Sequence, residues 1–203
     1  MIKYTGPARL SMKRRFERGD ALLLVDVQND FCPGGALAVA EGDRIVPVLN
    51  RWIAAAIAGG IPIYLSRCWH PPGHVSFRER GGPWPPHCVQ GTPGAQFHPD
   101  LKVPAGVPMV TKGDDPDRDN YSDFAGTGLA GRLHAAGVRR VWVGGLALDY
   151  CIRETVLDGR GEGFEVVVIR DGTRPVEVQA GDGERAVADM LAAGANIVSG
   201  DPQ

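Results

Sequence analysis

The sequence predicts a single-domain α/β protein with a doubly wound, mostly parallel sheet and helices on both faces. Short apolar runs alternate with segments of helical periodicity, which is typical of such sheets. The strand-like runs are apolar throughout, as expected of parallel strands buried on both faces. The 203-residue chain is 43% hydrophobic and has no linker-like stretch, so it can bury one substantial core.

The elements are predicted in order from these patterns. The first helix is predicted where apolar residues recur at helical spacing and end at the pair Gly59-Gly60. Strands are predicted over residues 21–25, 61–65, 107–110, 138–143, 164–169 and 196–198. Helices are predicted over residues 43–58, 128–136, 151–159 and 183–193.

Charge and composition limit the class of partner and the compartment. The formal charge of −2 offers no electrostatic basis for binding nucleic acid or an anionic membrane. Residues 1–19 carry six basic side chains and one acidic one, a net charge of +5, so we predict a basic N-terminal extension before a domain over residues 20–203. A solvated extension folding over the body is a commoner role for it than partner binding. The four cysteines do not form a secreted disulfide pattern, and we find no signal peptide or membrane span, so cytoplasm is expected.

Three chemically active side chains follow the ends of predicted strands. In doubly wound sheets, ligands bind beyond the carboxyl ends of the strands, and Asp26, Lys112 and Cys151 all fall there. A carboxylate can take the thiol proton, an ammonium can stabilise the anion, and the thiolate can attack an acyl carbon. Cys151 also opens a predicted helix, whose unpaired N–H groups and dipole favour the thiolate. Each residue alone has a structural explanation, but their shared edge of the sheet predicts a nucleophilic site.

A long connection precedes the third strand. Residues 67–108 are rich in proline, glycine and histidine, and they include Cys68 and His70 just after a predicted strand. Loops of this length are usually functional or disordered, and the aromatic and histidine residues favour function.

Six segments carry a family resemblance. They are Asp-Val-Gln-Asn-Asp-Phe (26–31), Trp-His-Pro (69–71), Trp-Pro-Pro-His-Cys-Val-Gln-Gly-Thr (84–92), Thr-Lys-Gly (111–113), Tyr-Ser-Asp-Phe (121–124) and Gly-Leu-Ala-Leu-Asp-Tyr-Cys (145–151). From about residue 21 to 198, the chain resembles the nicotinamidase (pyrazinamidase) branch of the isochorismatase-like cysteine hydrolases. The resemblance implies that family's fold and hydrolysis of the carboxamide of nicotinamide, or a similar small aromatic amide, to an acid and ammonia.

The resemblance also implies catalytic roles. Cys151 would be the nucleophile that forms a thioester, Asp26 its general base and Lys112 the third member of the triad. Backbone N–H groups near Ala147 and Cys151 would stabilise the oxyanion, and the Leu146–Ala147 peptide bond would be cis.

Three aromatic residues match the family's substrate pocket. Phe31 and Trp84 would flank the pyridine ring, and Tyr121 would face the same pocket.

The metal site is where the sequence departs from the family pattern. Family members bind a divalent ion through Asp-x-His and a later histidine, and this ion receives the pyridine nitrogen. The corresponding residues here are Cys68, His70 and His87, with His74 as an additional candidate ligand. Thiolate and imidazole suit Zn²⁺, which we therefore expect, with Mn²⁺ or Fe²⁺ as alternatives. Loss of the metal is a further alternative.

Two other functions stay open. Cys68 leaves room for a cysteine hydrolase of the wider family that cleaves another small amide or a carbamoyl group. A non-catalytic binding relative is the third possibility. The intact Asp26, Lys112 and Cys151 weigh against the latter. We expect a small-molecule amide substrate, a homo-oligomer, and neither a nucleic-acid nor a membrane partner.

Overall fold

Six parallel strands form the central sheet of the computed structural model, which describes residues 15–203. The strands are β1 (Asp20–Val25), β2 (Ile63–Cys68), β3 (Met109–Lys112), β4 (Arg140–Leu146), β5 (Glu165–Arg174) and β6 (Asn196–Val198). Their order is β3-β2-β1-β4-β5-β6, so the direction of winding reverses between β1 and β4. This reversal is the switch point at which doubly wound sheets open a crevice beyond their carboxyl ends.

Four α-helices pack around the sheet. They are α1 (Ile45–Ala58), α2 (Leu129–Ala135), α3 (Arg153–Gly161) and α4 (Asp182–Ala192). Helix α1 packs on β1, β4 and β5, while α3 packs on β5 and α4. The predicted fold class, a parallel sheet with helices on both faces, is confirmed.

Several predicted boundaries need correction. Strands β2 and β3 end at Cys68 and Lys112 rather than at residues 65 and 110, because these two residues are register partners in the sheet. An apolar pattern does not reveal strand residues that are polar, such as this cysteine and lysine. The helix expected to open at Cys151 is preceded by a π-helical turn over Leu148–Ile152, so Cys151 lies inside this turn.

The end of the predicted N-terminal extension packs on the body of the protein. Phe16 contacts Trp52 of α1 and Trp142 of β4 edge-on, with ring centroids 5.5 and 5.4 Å apart. Most of the extension, residues 1–14, lies outside the described residues, so the boundary at residue 20 stays a prediction.

Within residues 15–203, no helix is both long and apolar enough to cross a bilayer. The cytoplasmic location and the homo-oligomeric state stay predictions.

We expect Phe16→Ala to lower the free energy of unfolding by about 2 kcal/mol, because the change removes a half-buried ring that packs edge-on against two tryptophans. Urea denaturation measures the change. Arg15→Ala, an exposed neighbour, is the control and should stay within about 0.5 kcal/mol of the wild type. A Phe16→Ala protein as stable as this control would mean that the ring does not pack on the two indoles.

Candidate active site

The segment after β1 places the carboxylate of Asp26 at the switch point. Asp26 is fully buried and takes a left-handed backbone conformation, with φ of 49°. Its backbone N–H donates to the Ser66 carbonyl at 3.2 Å, and the Ser66 hydroxyl donates to Asp26 Oδ1, also at 3.2 Å. Neighbouring strand β2 therefore holds both the backbone and the side chain of Asp26.

Gln28 and Asp30, from the same motif over residues 26–31, hold the long connection of residues 67–108 in place. The buried amide of Gln28 donates to the carbonyls of Cys68 and Ala95 at 2.8 and 2.9 Å, and it accepts from the Cys68 N–H at 2.9 Å. Asp30 accepts from the Cys88 N–H at 2.7 Å. Alternate residues of the segment after β1 thus supply the carboxylate and two anchors for the loop that carries His87.

The ammonium of Lys112 lies between two buried carboxylates. Its Nζ is 2.7 Å from Asp26 Oδ2 and makes a second, short ion pair with Asp123. All three side chains are inaccessible to solvent. Burial alone would lower the pKa of Lys112, but the Asp123 and Asp26 charges hold it well above its ordinary value. Lys112 is therefore a charged residue at neutral pH.

Sequence reasoning missed Asp123. Burial raises the pKa of its carboxyl from 3.8 to about 6, although the adjacent Lys112 charge favours the ionised form. Its backbone N–H donates to Thr155 Oγ1 at 3.0 Å, which ties the loop before α2 to α3. Asp123 follows no strand, so the strand-end rule could not find it; its place in the Tyr-Ser-Asp-Phe motif was the available signal.

Cys151 faces this ion pair from the other side of the switch point. Its thiol is 6% exposed, and its Sγ, a carboxylate oxygen of Asp26 and the Sγ of Cys68 all lie within 4.8 Å of one another. The structure thus brings the predicted Asp26, Lys112 and Cys151 together.

The chain reaches Cys151 through a tightly packed exit from β4. Gly145 has φ of 135°, and a Cβ there would lie 1.9 Å from the Val25 carbonyl oxygen, so this position requires glycine. One residue later, the Leu146–Ala147 peptide bond is cis, as the resemblance implies. Ala147 and Cys151 both line the cavity described below.

The thiol of Cys68 points toward Asp26 and Cys151. Its Sγ donates to Asp26 Oδ2 at 3.4 Å. A hydrogen bond with Cys151 and complete burial raise the pKa of Cys68 well above its ordinary value, so it is a neutral thiol at pH 7. In residues 15–203, the trio of potential metal ligands that lie together is Asp26, Cys68 and Cys151, not Cys68 with the two predicted histidines.

His70 and His87 present a matched pair of imidazoles. Their Nδ1–H groups donate to the carbonyls of Gly113 and Pro85 at 3.0 and 2.9 Å. A carbonyl only accepts, so each ring carries its proton on Nδ1 and keeps a lone pair on Nε2. The rings are 4.8 Å apart, and both line the cavity.

Both rings are neutral at pH 7. The packing around His70 leaves no room for a side chain at residue 113. Burial lowers the pKa of His70 to about 3 and also lowers that of His87. Gly113 has φ of 69°, and a Cβ there would come within 2.4 Å of the His70 ring. Because residue 113 is a glycine, its backbone can approach the His70 ring closely enough for its carbonyl to accept the hydrogen bond from Nδ1–H.

His74 has both ring nitrogens engaged. Nδ1 is 2.7 Å from the Ser76 hydroxyl and accepts from the Ser76 N–H at 3.2 Å, while Nε2 donates to the Arg118 carbonyl at 3.1 Å. Its ring packs 4.3 Å from that of His70. His74 therefore supports the position of His70 and has no free lone pair for a metal.

The cavity above Cys151 is aromatic. Phe31, Trp84 and Tyr121 line it, and the Trp84 indole N–H donates to the Tyr121 hydroxyl at 2.8 Å. The empty space is about 420 Å³, including its opening to solvent. Sequence reasoning missed Tyr150, which contacts Trp84 edge-on at 4.9 Å; its place next to Cys151 in the motif was the signal.

The isochorismatase domain family matches residues 20–201, which is nearly all of the described chain. The chain belongs to the isochorismatase family. It is 42% identical over 198 residues to the nicotinamidase of Escherichia coli, covering 87% of this chain and 93% of that protein.

Solved structures of family members have the same fold. The pyrazinamidase of Pyrococcus horikoshii in complex with zinc is 46% identical, with a TM-score of 0.85 over 90% of this chain and 99% of that one. The PnC1 protein of L. infantum in complex with nicotinate is 36% identical, with a TM-score of 0.83 over 94% and 96%.

We expect the rate of amide hydrolysis, the activity that the resemblance implies, to depend on the charge of Asp123. As pH falls through about 6, Asp123 takes up a proton and Asp26 alone then balances Lys112, which would weaken Asp26 in the role of general base that the resemblance implies. The kcat/KM of the wild type should therefore fall on the acid side with a midpoint near this pH. Asp123→Asn should lower kcat/KM at pH 7.5 roughly tenfold, or about 1.4 kcal/mol, and lose this limb.

Asp117→Asn makes the same chemical change on the surface and serves as the control in the same pH–rate measurement. An Asp123→Asn enzyme with the wild-type profile would show that Asp123 does not influence the proton transfer.

Proposed function

We propose that this isochorismatase-family protein is an amidohydrolase that cleaves the carboxamide of nicotinamide, or of a similar small aromatic amide, to the acid and ammonia. The observation that carries the proposal is the thiol of Cys151 beside the buried pair of Asp26 and Lys112 at an aromatic cavity. The relative named nicotinamidase and the neighbour bound to nicotinate support this substrate class.

The geometry supports a thioester mechanism. Asp26 takes the proton of Cys151, and the thiolate attacks the amide carbon while the Lys112 charge stabilises the anionic site. Backbone N–H groups near Ala147 and Cys151 stabilise the oxyanion. The carbon–nitrogen bond then breaks, and the proton held by Asp26 leaves with ammonia. Asp26 next takes a proton from water, whose oxygen cleaves the thioester and releases the acid and the thiol.

The aromatic side chains orient the substrate. Phe31 and Trp84 flank a planar ring, and the hydrogen bond from Trp84 to the Tyr121 hydroxyl fixes the indole edge on the cavity wall. A flat, mostly apolar slot of this kind suits an aromatic amide better than a flexible aliphatic one.

We also propose that Nε2 of His70 and of His87 hold a divalent ion, most readily zinc. Two neutral imidazoles whose protons are bound by carbonyl groups fit such an ion, because this arrangement fixes the ligating tautomer. The Pyrococcus pyrazinamidase in complex with zinc supports the choice of metal. When bound, the ion supplies an electron-pair acceptor for the ring nitrogen of the substrate.

Cys68, the third residue of the predicted ligand set, is directed at Asp26 and Cys151, and His74 has no free nitrogen. Neither side chain would therefore hold the ion, and water would complete its coordination.

The orientation of Cys68 also favours a second candidate, a hydrolase of the wider family that cleaves another small amide or a carbamoyl group. Without a carboxylate ligand the ion is held by fewer protein atoms, so selection of a ring nitrogen rests on His70 and His87 alone.

We expect Cys151→Ala to abolish ammonia release from nicotinamide, because it removes the sulfur that forms the thioester. Removal of a nucleophile costs about six orders of magnitude in comparable enzymes. Cys32→Ser removes another buried thiol and is the control, with activity near that of the wild type. Residual Cys151→Ala activity within about tenfold of the wild type would exclude the mechanism.

The same assay with benzamide, which lacks the ring nitrogen, separates the two candidate functions. A nicotinamide-specific enzyme should be slower on benzamide by about tenfold or more in kcat/KM. Equal rates would favour the broader hydrolase.

We expect the protein, purified without a histidine tag, to bind about one equivalent of zinc per chain, as a single preformed site would. His87→Ala should weaken binding by about tenfold or more, because it removes one of two protein ligands. Elemental analysis and calorimetry measure these quantities. His98→Ala, a histidine outside the cavity, is the control. A metal-free wild type whose activity ignores both chelators and added ions would contradict the metal proposal.

A further inference from the structure

The hydrolytic mechanism does not use the thiol of Cys68. This thiol ends β2, is 3% exposed, and lines the same cavity as Cys151. The two sulfur atoms lie within 4.8 Å of each other, and Cys68 Sγ also donates to Asp26 Oδ2 at 3.4 Å. A second thiol in contact with a reactive cysteine and with its base can do chemistry that a carboxylate at the same position cannot.

We propose that Cys68 is a resolving thiol, which joins Cys151 in a reversible disulfide when a hydroperoxide enters the cavity. The inference rests on the proposed function only in taking Cys151 as the reactive thiol of the site.

The reaction has two balanced steps. Asp26 takes the Cys151 proton and the thiolate attacks one oxygen of the hydroperoxide, so that an S–O bond forms and the O–O bond breaks. Cys151 becomes a sulfenic acid, and the departing alkoxide, or hydroxide for hydrogen peroxide, takes the proton from Asp26 and leaves as an alcohol or water. The sulfur of Cys68 then attacks the sulfur of Cys151, the S–S bond forms and the S–O bond breaks. Asp26 takes the Cys68 proton and passes it to the departing hydroxide, which leaves as water.

The positions of the other cysteines single out this pair. Cys32 and Cys88 are buried and do not line the cavity, so neither meets a peroxide that reaches Cys151. A disulfide requires the sulfur atoms to approach to about 2.0 Å, which rotation of both side chains toward the shared cavity must achieve. The bond would block the nucleophile, yet protect it from irreversible oxidation to sulfinic acid.

Mass spectrometry tests the inference directly. The full-length protein is treated with hydrogen peroxide, blocked with N-ethylmaleimide and digested with trypsin. Cleavage after arginine gives peptides 68–78 and 141–153, each with a single cysteine, so a Cys68–Cys151 bond appears as one linked mass that dithiothreitol removes. We expect this linked peptide in the wild type and in the control Cys32→Ser.

Activity recovery gives the second readout. Dithiothreitol should restore most of the ammonia release lost by the oxidised wild type, whereas Cys68→Ser should recover at least about fivefold less, because its Cys151 proceeds to sulfinic acid. A wild type with no linked peptide, or with Cys151 over-oxidised as fast as in Cys68→Ser, would overturn the inference.

The two proposals fail separately. A wild type that hydrolyses nicotinamide without forming the linked peptide refutes only the resolving role of Cys68. A linked peptide in a protein that does not hydrolyse nicotinamide refutes only the proposed substrate.

Discussion

The buried ammonium of Lys112 is the interaction on which the site depends. A charge with no contact with solvent costs several kcal/mol to bury unless it is paired, and here Asp26 and Asp123 pair with it from two sides. Lys112 ends β3 at the edge of the sheet, Asp26 follows β1 near its centre, and Asp123 comes from the loop before α2. These ion pairs therefore join three segments that are distant in sequence, next to the thiol of Cys151.

The sheet topology explains why these side chains lie close together. Parallel strands deliver their carboxyl ends to one edge, and the reversal between β1 and β4 leaves a gap there that Cys151 fills from the turn after β4. The long loop is then attached to the same edge by the Gln28 amide and the Asp30 carboxylate. Asp26, Cys151 and the cavity-lining loop thus meet at one edge of the sheet, as the proposed active site requires.

The fold and the shared position of Asp26, Lys112 and Cys151 could be predicted from residue patterns for a physical reason, whereas the predicted pocket and metal residues depended on the family resemblance. Apolar runs mark buried parallel strands, and a charged residue directly after such a run must lie at the edge of the sheet, which located Asp26 and Lys112. The strand-end rule could not predict Asp123, because its position depends on tertiary contacts with Lys112 and Thr155 that no local sequence pattern encodes. The direction of the Cys68 thiol was equally hidden, since the residue pattern names a ligand type and not its rotamer.

Cys68 also alters the charge balance of the site. Asp26 and Asp123 face the one ammonium of Lys112, and burial leaves Asp123 with a pKa of about 6, so the cluster carries at most one excess negative charge. A carboxylate at residue 68, in contact with Asp26, would add another buried negative charge that calls for a cation nearby. The neutral thiol removes that demand. Residue 68 then calls for no neighbouring cation, and this leaves it free to take on a different chemistry beside Cys151.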